Sequence, residues 1–351
     1  MLLPYPSKAI RGRGRSSHTC ATMTSGVDLD QDRRHGPRKP SIRSPSLDQP
    51  QIATTAMLRH VLTRLALAAC ATTAALLGSR AAEEPTPPAI QEEIWALPVT
   101  QPTLAYVVRP HGSGPFPLVV MNHGVSLNAQ ERAFFPLVEF RDAAIWFARR
   151  GNMVVAPVGP GYGAAALDMP NRGLYGVFFS KIGSCDNPNF HDAGLAAALL
   201  DKWIIDYMTE QGLALPNDTV VVGQSAGGWA AIALSSQNLP SVKAIIAFAA
   251  GRGGHVGGKP NNNCAPDRLV EATADFGRVA RTPMLWIYIE NDTYFGPALS
   301  QRMLQAYTHS GGNAEYHLLP PFGEDGHFLI DSASSIPLWS PLVSQFLDRH
   351  R

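Results

Sequence analysis

From residue 104 onward the chain alternates short, almost wholly apolar runs with longer segments whose apolar residues recur every three to four positions. The apolar runs span residues 104–108, 116–121, 153–158, 219–222, 242–249, 283–290 and 314–319. Each is short and rich in Val, Ile or aromatic residues, so each predicts a strand. Several, such as PFPLVVMN and VKAIIAFA, are apolar without alternation, as in strands buried on both faces of a parallel sheet. Between them, helical spacing predicts helices over 134–150, 191–208, 229–237, 297–307 and 338–349, the first carrying Phe135, Val138, Ile145 and Phe147 and ending at Gly151 as its cap. Residues 82–98, with their Pro and Glu, read as a lead-in segment. Residues 168–188 show no clear period, and 251–264, GRGGHVGGKPNNNC, read as a glycine-rich loop. Strand and helix in alternation predict an α/β fold: a mainly parallel central sheet with helices on both faces. There is no internal repeat.

The first quarter has a different character. Residues 1–56 are rich in Ser, Pro and Arg without apolar periodicity and are expected to be disordered. Residues 57–81 then combine a basic start, an apolar stretch and Ser79-Arg80-Ala81, a small-x-small site before Ala82, which predicts a secretory signal peptide. A signal preceded by a basic extension suggests that translation starts at Met57. Leu67-Ala68-Ala69-Cys70 also resembles a lipoprotein box, and a retained anchor is a further alternative. The apolar run is short for a membrane span. On this reading residues 82–351 are the mature domain, long enough for one α/β core, and the protein is secreted or periplasmic.

Removing the leader changes the charge. The whole chain is close to neutral at +1, whereas residues 82–351 hold 17 Lys and Arg against 24 Asp and Glu, a net −7. An acidic mature domain disfavours nucleic-acid or anionic-membrane binding. It retains two cysteines, Cys185 and Cys264, which in an exported protein predict one disulfide. Their spacing is not that of a metal site, and GPGYGAAA lacks the strand–GxGxxG–helix context of a dinucleotide site. No metal or organic cofactor is expected.

Candidate chemistry centres on residues 218–228, DTVVVGQSAGG, where a strand runs into Gly223-Gln224-Ser225-Ala226-Gly227 and then a helix. A serine on so sharp a turn needs small residues two positions either side, and both are glycine. The turn exposes the Ser225 hydroxyl and leaves the Ala226 N–H free to face an oxyanion. Such a serine needs a histidine base and a carboxylate to orient it. Asp292 stands where strand 283–290 ends, two strands after Ser225, and His327 stands in the loop after the last strand. Their order, Ser225, Asp292, His327, suits a nucleophile on a strand-turn-helix elbow. Among the competitors, Glu290 faces the sheet edge and Asp325 is too close to His327 to come from a separate loop. His191 and His255 precede the acid, and His317 is on a strand. His123, in NHG, reads as a loop-shaping residue. Val125, just after strand 116–121, would supply the second oxyanion N–H. Tyr162 is a candidate substrate contact, and with Phe134, Phe179, Tyr294, Phe295 and Phe328 a candidate for an acyl pocket, packing being the alternative for each.

NHG, GQSAGG, ENDTYF and GEDGHF together resemble the α/β-hydrolase superfamily, in its dienelactone-hydrolase-like branch, over about residues 104–346. The resemblance implies an α/β-hydrolase fold with Ser225 as nucleophile, His327 as base, Asp292 as acid, and Ala226 and Val125 as oxyanion donors. Dienelactone hydrolases proper use cysteine where this chain has Ser225. The expected function is a carboxylic ester hydrolase working through an acyl-enzyme on a small-molecule or polymeric ester. The alternatives are a peptidase or amidase, an acyltransferase on the same triad, or a non-catalytic binding protein on a hydrolase fold.

Overall fold

The structure, a computed structural model, describes residues 88–99, 102–126, 128–163 and 184–351. The expected extension 1–56, the signal peptide 57–81, the domain start at residue 82 and Phe179 lie outside the described residues. In chain order the elements are β1 (Ile90–Pro98), β2 (Pro102–Pro110), β3 (Phe116–Asn122), α1 (Ala129–Ala133), α2 (Arg141–Ala148), β4 (Met153–Pro157), α3 (Phe190–Glu210), β5 (Ala214–Gln224), α4 (Ala226–Ser235), β6 (Val242–Phe248), α5 (Pro266–Val279), β7 (Met284–Ile289), α6 (Pro297–His309), β8 (Ala314–Leu319) and α7 (Ile336–His350). The eight strands form one sheet ordered β1-β2-β4-β3-β5-β6-β7-β8. β1 pairs antiparallel with β2, and β2 antiparallel with β4, while every pairing from β4 across to β8 is parallel.

The unbroken apolar runs have a direct cause in the packing. Successive side chains of a strand point to opposite faces, and both faces here are covered. In β3, Leu118 and Val120 join the core under α3, α4, α5 and α6, whereas Val119 and Met121 join the core under α2 and α7. β7 divides in the same way, with Trp286 and Tyr288 on the first face and Leu285, Ile287 and Ile289 on the second. Each such side chain, fully buried, contributes about 1.5–3 kcal/mol. The sheet order is therefore held from both sides, and the ends of β3, β5, β7 and β8 are fixed relative to one another.

Three expectations are corrected. Residues 90–98 are not a lead-in but the edge strand β1. Its adjacent Glu92 and Glu93 obscured the pattern, yet Glu92 accepts hydrogen bonds from Tyr106 Oη (2.6 Å) and Arg141 Nε (2.7 Å). The helix expected over 134–150 is confined to α2, residues 141–148; residues 134–140 are not helical, and α1 lies before them, outside the expected span. Pro136 disfavours helical backbone at Phe135, and Phe140 takes a left-handed φ of 53°. The segment after Cys264 contains α5, whose buried Leu269, Ala272, Thr273 and Phe276 follow an i, i+3, i+4, i+7 stripe; it was not expected.

The disulfide forms as expected. Cys185 and Cys264, 79 residues apart, are bonded with Cα atoms 5.0 Å apart. It ties the turn before α3 to the loop before α5. Among the described residues no helix is long and apolar enough to cross a membrane, and no cluster of three or more His, Cys, Asp or Glu is placed to hold a metal.

Candidate active site

Ser225 sits between β5 and α4 with φ 54° and ψ −119°. A non-glycine residue in so sparse a region costs on the order of 1–3 kcal/mol. Backbone hydrogen bonds hold it there: its N–H donates to Phe248 O (3.0 Å), and its carbonyl accepts from Trp229 N (2.9 Å) and Gly251 N (3.1 Å). The flanking glycines are required by close approach. A Cβ at Gly223 would lie 2.2 Å from Gly227 O, and one at Gly227 would lie 2.3 Å from Asn122 O. Gly228 is also held by close approach, since a Cβ there would come within 2.7 Å of the Ala250 Cβ.

Asp292 follows β7 and His327 follows β8, and adjacent parallel strands bring them together. His327 Nδ1 lies 3.1 and 3.2 Å from the two Asp292 carboxylate oxygens. An ionised carboxylate only accepts, so Nδ1 carries the proton and Nε2 is left as the basic nitrogen. Asp292 Oδ1 also accepts from the N–H groups of Tyr294 (2.7 Å) and Phe295 (2.9 Å). Asp292 and His327 are only 2% and 3% exposed, so their pairing is shielded from water. Gln224, next to the nucleophile, donates from Nε2 to His327 O at 2.9 Å, which ties the elbow to the histidine loop. Ser225 Oγ and His327 form no hydrogen bond in this structure; such contacts commonly tighten when substrate binds.

Asp325, set aside as the acid, joins the two loops instead. Its Oδ1 accepts from Thr293 N (3.1 Å) and His327 N (3.0 Å), and its Oδ2 from Thr293 Oγ1 (2.5 Å). Burial alone would raise the Asp325 carboxyl, but these hydrogen bonds outweigh it and hold the group below its usual range. The other competitors take other partners. Glu290 is exposed, His191 bonds its neighbour Asp192, and His317 lies on β8. His255 bonds Thr293 through Nε2.

The loop after β3 passes directly over the nucleophile: a Cβ at Gly124 would lie 3.1 Å from the Ser225 Cβ. His123 shapes this loop as expected. Its Nδ1 is 2.6 Å from Gly124 O, to which it donates, and its Nε2 accepts from Gly159 N at 2.9 Å. Burial pushes His123 down to about 4, so it is neutral at pH 7. Tyr162, the candidate substrate contact, packs edge-on against His123 and Phe135, is 3% exposed, and accepts from Ser126 N at 2.9 Å through its hydroxyl. It shapes the loop instead.

Val125 and Ala226 line one small cavity of about 30 Å³ together with Asn122, His123, Gly227 and Arg252. Arg252 was not singled out from the sequence. Burial lowers its guanidinium from the ordinary value, and it brings positive charge to the cavity. The only sequence signal for it was its position just after β6. Of the residues proposed for an acyl pocket, Phe295 is buried in the core, while Phe134 and Phe328 are 80% and 47% exposed.

No protein-family model matches the chain, and no curated protein matches it. Solved structures do. A Klebsiella pneumoniae protein assigned as a dienelactone hydrolase is 18% identical with a TM-score of 0.51, the match covering 74% of this chain and 99% of that one. An acetyl xylan esterase from a Paenibacillus species is 15% identical with a TM-score of 0.50, over 76% of this chain and 90% of its own. An acylaminoacyl peptidase from Pyrococcus horikoshii is 12% identical with a TM-score of 0.51, but this chain spans 42% of its length. With the parallel order β4-β3-β5-β6-β7-β8 and a serine elbow after β5, the likeness establishes the architecture: the chain has the α/β-hydrolase fold.

Proposed function

We propose that this protein is a serine hydrolase that cleaves carboxylic esters through an acyl-enzyme. The observation that carries the reading is the His327–Asp292 pair, buried and tied through Gln224 to the elbow that presents Ser225. Ser225 Oγ attacks the ester carbonyl while His327 Nε2 takes its proton. The carbonyl oxygen, now negative, is held by the N–H groups of Ala226 and Val125. The C–O bond to the alcohol breaks, and the alcohol leaves with the proton from His327. A water molecule, deprotonated by the same nitrogen, then releases the acid and restores Ser225. Asp292 keeps His327 in the Nδ1–H tautomer and stabilises the imidazolium formed in each half-reaction.

Esters are favoured over peptides because the dienelactone hydrolase and acetyl xylan esterase match over nearly their whole lengths, whereas the peptidase carries much chain that has no counterpart here. The substrate is an ester, small or polymeric in its alcohol part. Residues 82–351 form the hydrolase domain and 57–81 the signal that exports it. The Cys185–Cys264 disulfide supports an oxidising destination.

The direct test is turnover of p-nitrophenyl acetate and butyrate by Ser225→Ala. We expect a loss of roughly a thousandfold or more with an unchanged fold. Normal turnover by the variant would remove the mechanism.

A further inference from the structure

The face of the His327 ring has a partner that the triad does not require. Tyr294 lies over it with ring centroids 4.0 Å apart and an interplanar angle of 22°. Phe328 meets the same imidazole edge-on at 89°, and Phe295 is tilted at 53°. Among the described residues, then, Tyr294 is the side chain that offers His327 a parallel π face. The opposite face of Tyr294 is covered by His255, with centroids 3.5 Å apart and planes 7° apart. The result is a column of three rings: His255, Tyr294, His327.

The column is built in from both sides. Tyr294 N donates to Asp292, so the residue beside the acid is the one that covers the base. His255 comes from the loop between β6 and α5. That loop is closed on itself by Cys264 N to Gly253 O (2.7 Å) and Val256 N to Asn262 O (2.8 Å), and anchored by the disulfide at Cys264. It is fastened to the acid loop by Asn261 N to Thr293 O (2.6 Å) and Asn263 Nδ2 to Tyr294 O (2.6 Å). His255 Nε2 lies 3.0 Å from Thr293 O, a carbonyl that can only accept, so this nitrogen carries a proton and fixes the ring.

We propose that Tyr294 is a positioning residue: braced by His255, its ring fixes the plane of the His327 imidazole and stabilises the imidazolium that forms when Ser225 gives up its proton. The face of an aromatic ring is negative and attracts a cation lying on it. Neutral imidazole gains little from that attraction and imidazolium gains more, so the stack favours the charged state through which each half-reaction passes. No atom moves beyond the proton transfer from Ser225 Oγ to His327 Nε2. The chemistry rests on the hydrolase reading, but the stack can be tested without turnover.

Other charges also face this site. Asp292 lies at Nδ1, Asp325 accepts the His327 backbone N–H, and the Asp331 carboxyl is near enough to interact with His327. Glu139 acts on Asp331, and Asp325 and Glu131 act on Tyr294. All of them stay in place when only the ring at 294 is altered. The experiment is therefore an NMR titration of His327 in isotopically labelled protein carrying Phe, 4-fluoro-Phe or 3,4,5-trifluoro-Phe at position 294, with Tyr294→Leu as the apolar end point. Shape is nearly constant along the aromatic series while the ring face loses electron density. The expected result is a midpoint that falls stepwise, and that lies about half a pH unit lower in the Leu variant than in the wild type. The acidic limb of kcat/KM for p-nitrophenyl acetate shifts with it. A midpoint that stays constant or rises along the series overturns the proposal, whatever happens to the rate. Failure of the hydrolase reading would appear separately, as turnover that survives Ser225→Ala.

Discussion

At the scale of single residues, the site depends on a few groups whose ionisation and hydrogen bonding are set by burial. Asp292→Asn keeps the shape of the acid but lets His327 adopt the wrong tautomer, so we predict a loss of kcat of roughly 10⁴-fold against p-nitrophenyl esters. A different buried carboxyl governs stability. Asp201 on α3 is 1% exposed, with both carboxylate oxygens buried. Burial raises it to about 7, offset in part by the nearby Asn122 side chain. The native state thus keeps a proton that the unfolded chain releases near pH 4. Stability is unaffected below that pH, declines as pH rises from about 4 to 7, and then levels off; the penalty at the plateau is on the order of 4 kcal/mol. Asp201→Asn should therefore raise the melting temperature at pH 8 much more than at pH 4. Equal shifts at both pH values would contradict this assignment.

At the scale of elements, the strand–turn–helix at Ser225 works because three backbones approach more closely than any side chain permits. Gly223→Ala would drive a Cβ to 2.2 Å from Gly227 O, where backbone and not a movable side chain must yield. Gly151 also has a positive φ, 87°, but nothing lies within 4 Å of its would-be Cβ. Urea unfolding should separate the two: Gly151→Ala costs about 1 kcal/mol, whereas Gly223→Ala costs several-fold more and abolishes hydrolysis. Similar small losses for both would mean the elbow is looser than it is drawn. This element was legible in the sequence because its demands are local: apolar strand, Gly-x-Ser-x-Gly, apolar helix. Asp292 and His327 were legible for a related reason, since each follows a recognisable strand. β1 and α5 were not read, although α5 has its stripe at Leu269, Ala272, Thr273 and Phe276. In α5 that stripe is narrow and set among charged residues such as Asp267, Arg268, Glu271 and Asp275. In β1 the polar residues take partners from distant segments, so that Glu92 meets Arg141. Tertiary contacts such as Tyr294 on His327 or Arg252 beside Val125 leave no local pattern; only the folded chain brings them together.

At the scale of the whole molecule, a sheet covered on both faces fixes the strand ends, and the loops on one rim are then fastened to one another. Gln224 bonds the His327 carbonyl, Asp325 bridges Thr293 and His327, and the disulfide anchors the loop that carries His255. Cys185→Ser with Cys264→Ser should lower the free energy of unfolding by about 2–4 kcal/mol, because the bond closes a long loop. A melting temperature insensitive to the paired substitution would show that the loops are held without it.

The central claim is that Ser225 is a nucleophile activated by His327. It is tested most directly by treating the folded protein with a fluorophosphonate and mapping the adduct by peptide mass spectrometry. The account predicts a single phosphonylated peptide containing Ser225, labelled quickly in the wild type and far more slowly in His327→Ala. A folded protein that takes up no label, or takes it up elsewhere at a rate indifferent to His327, would contradict it.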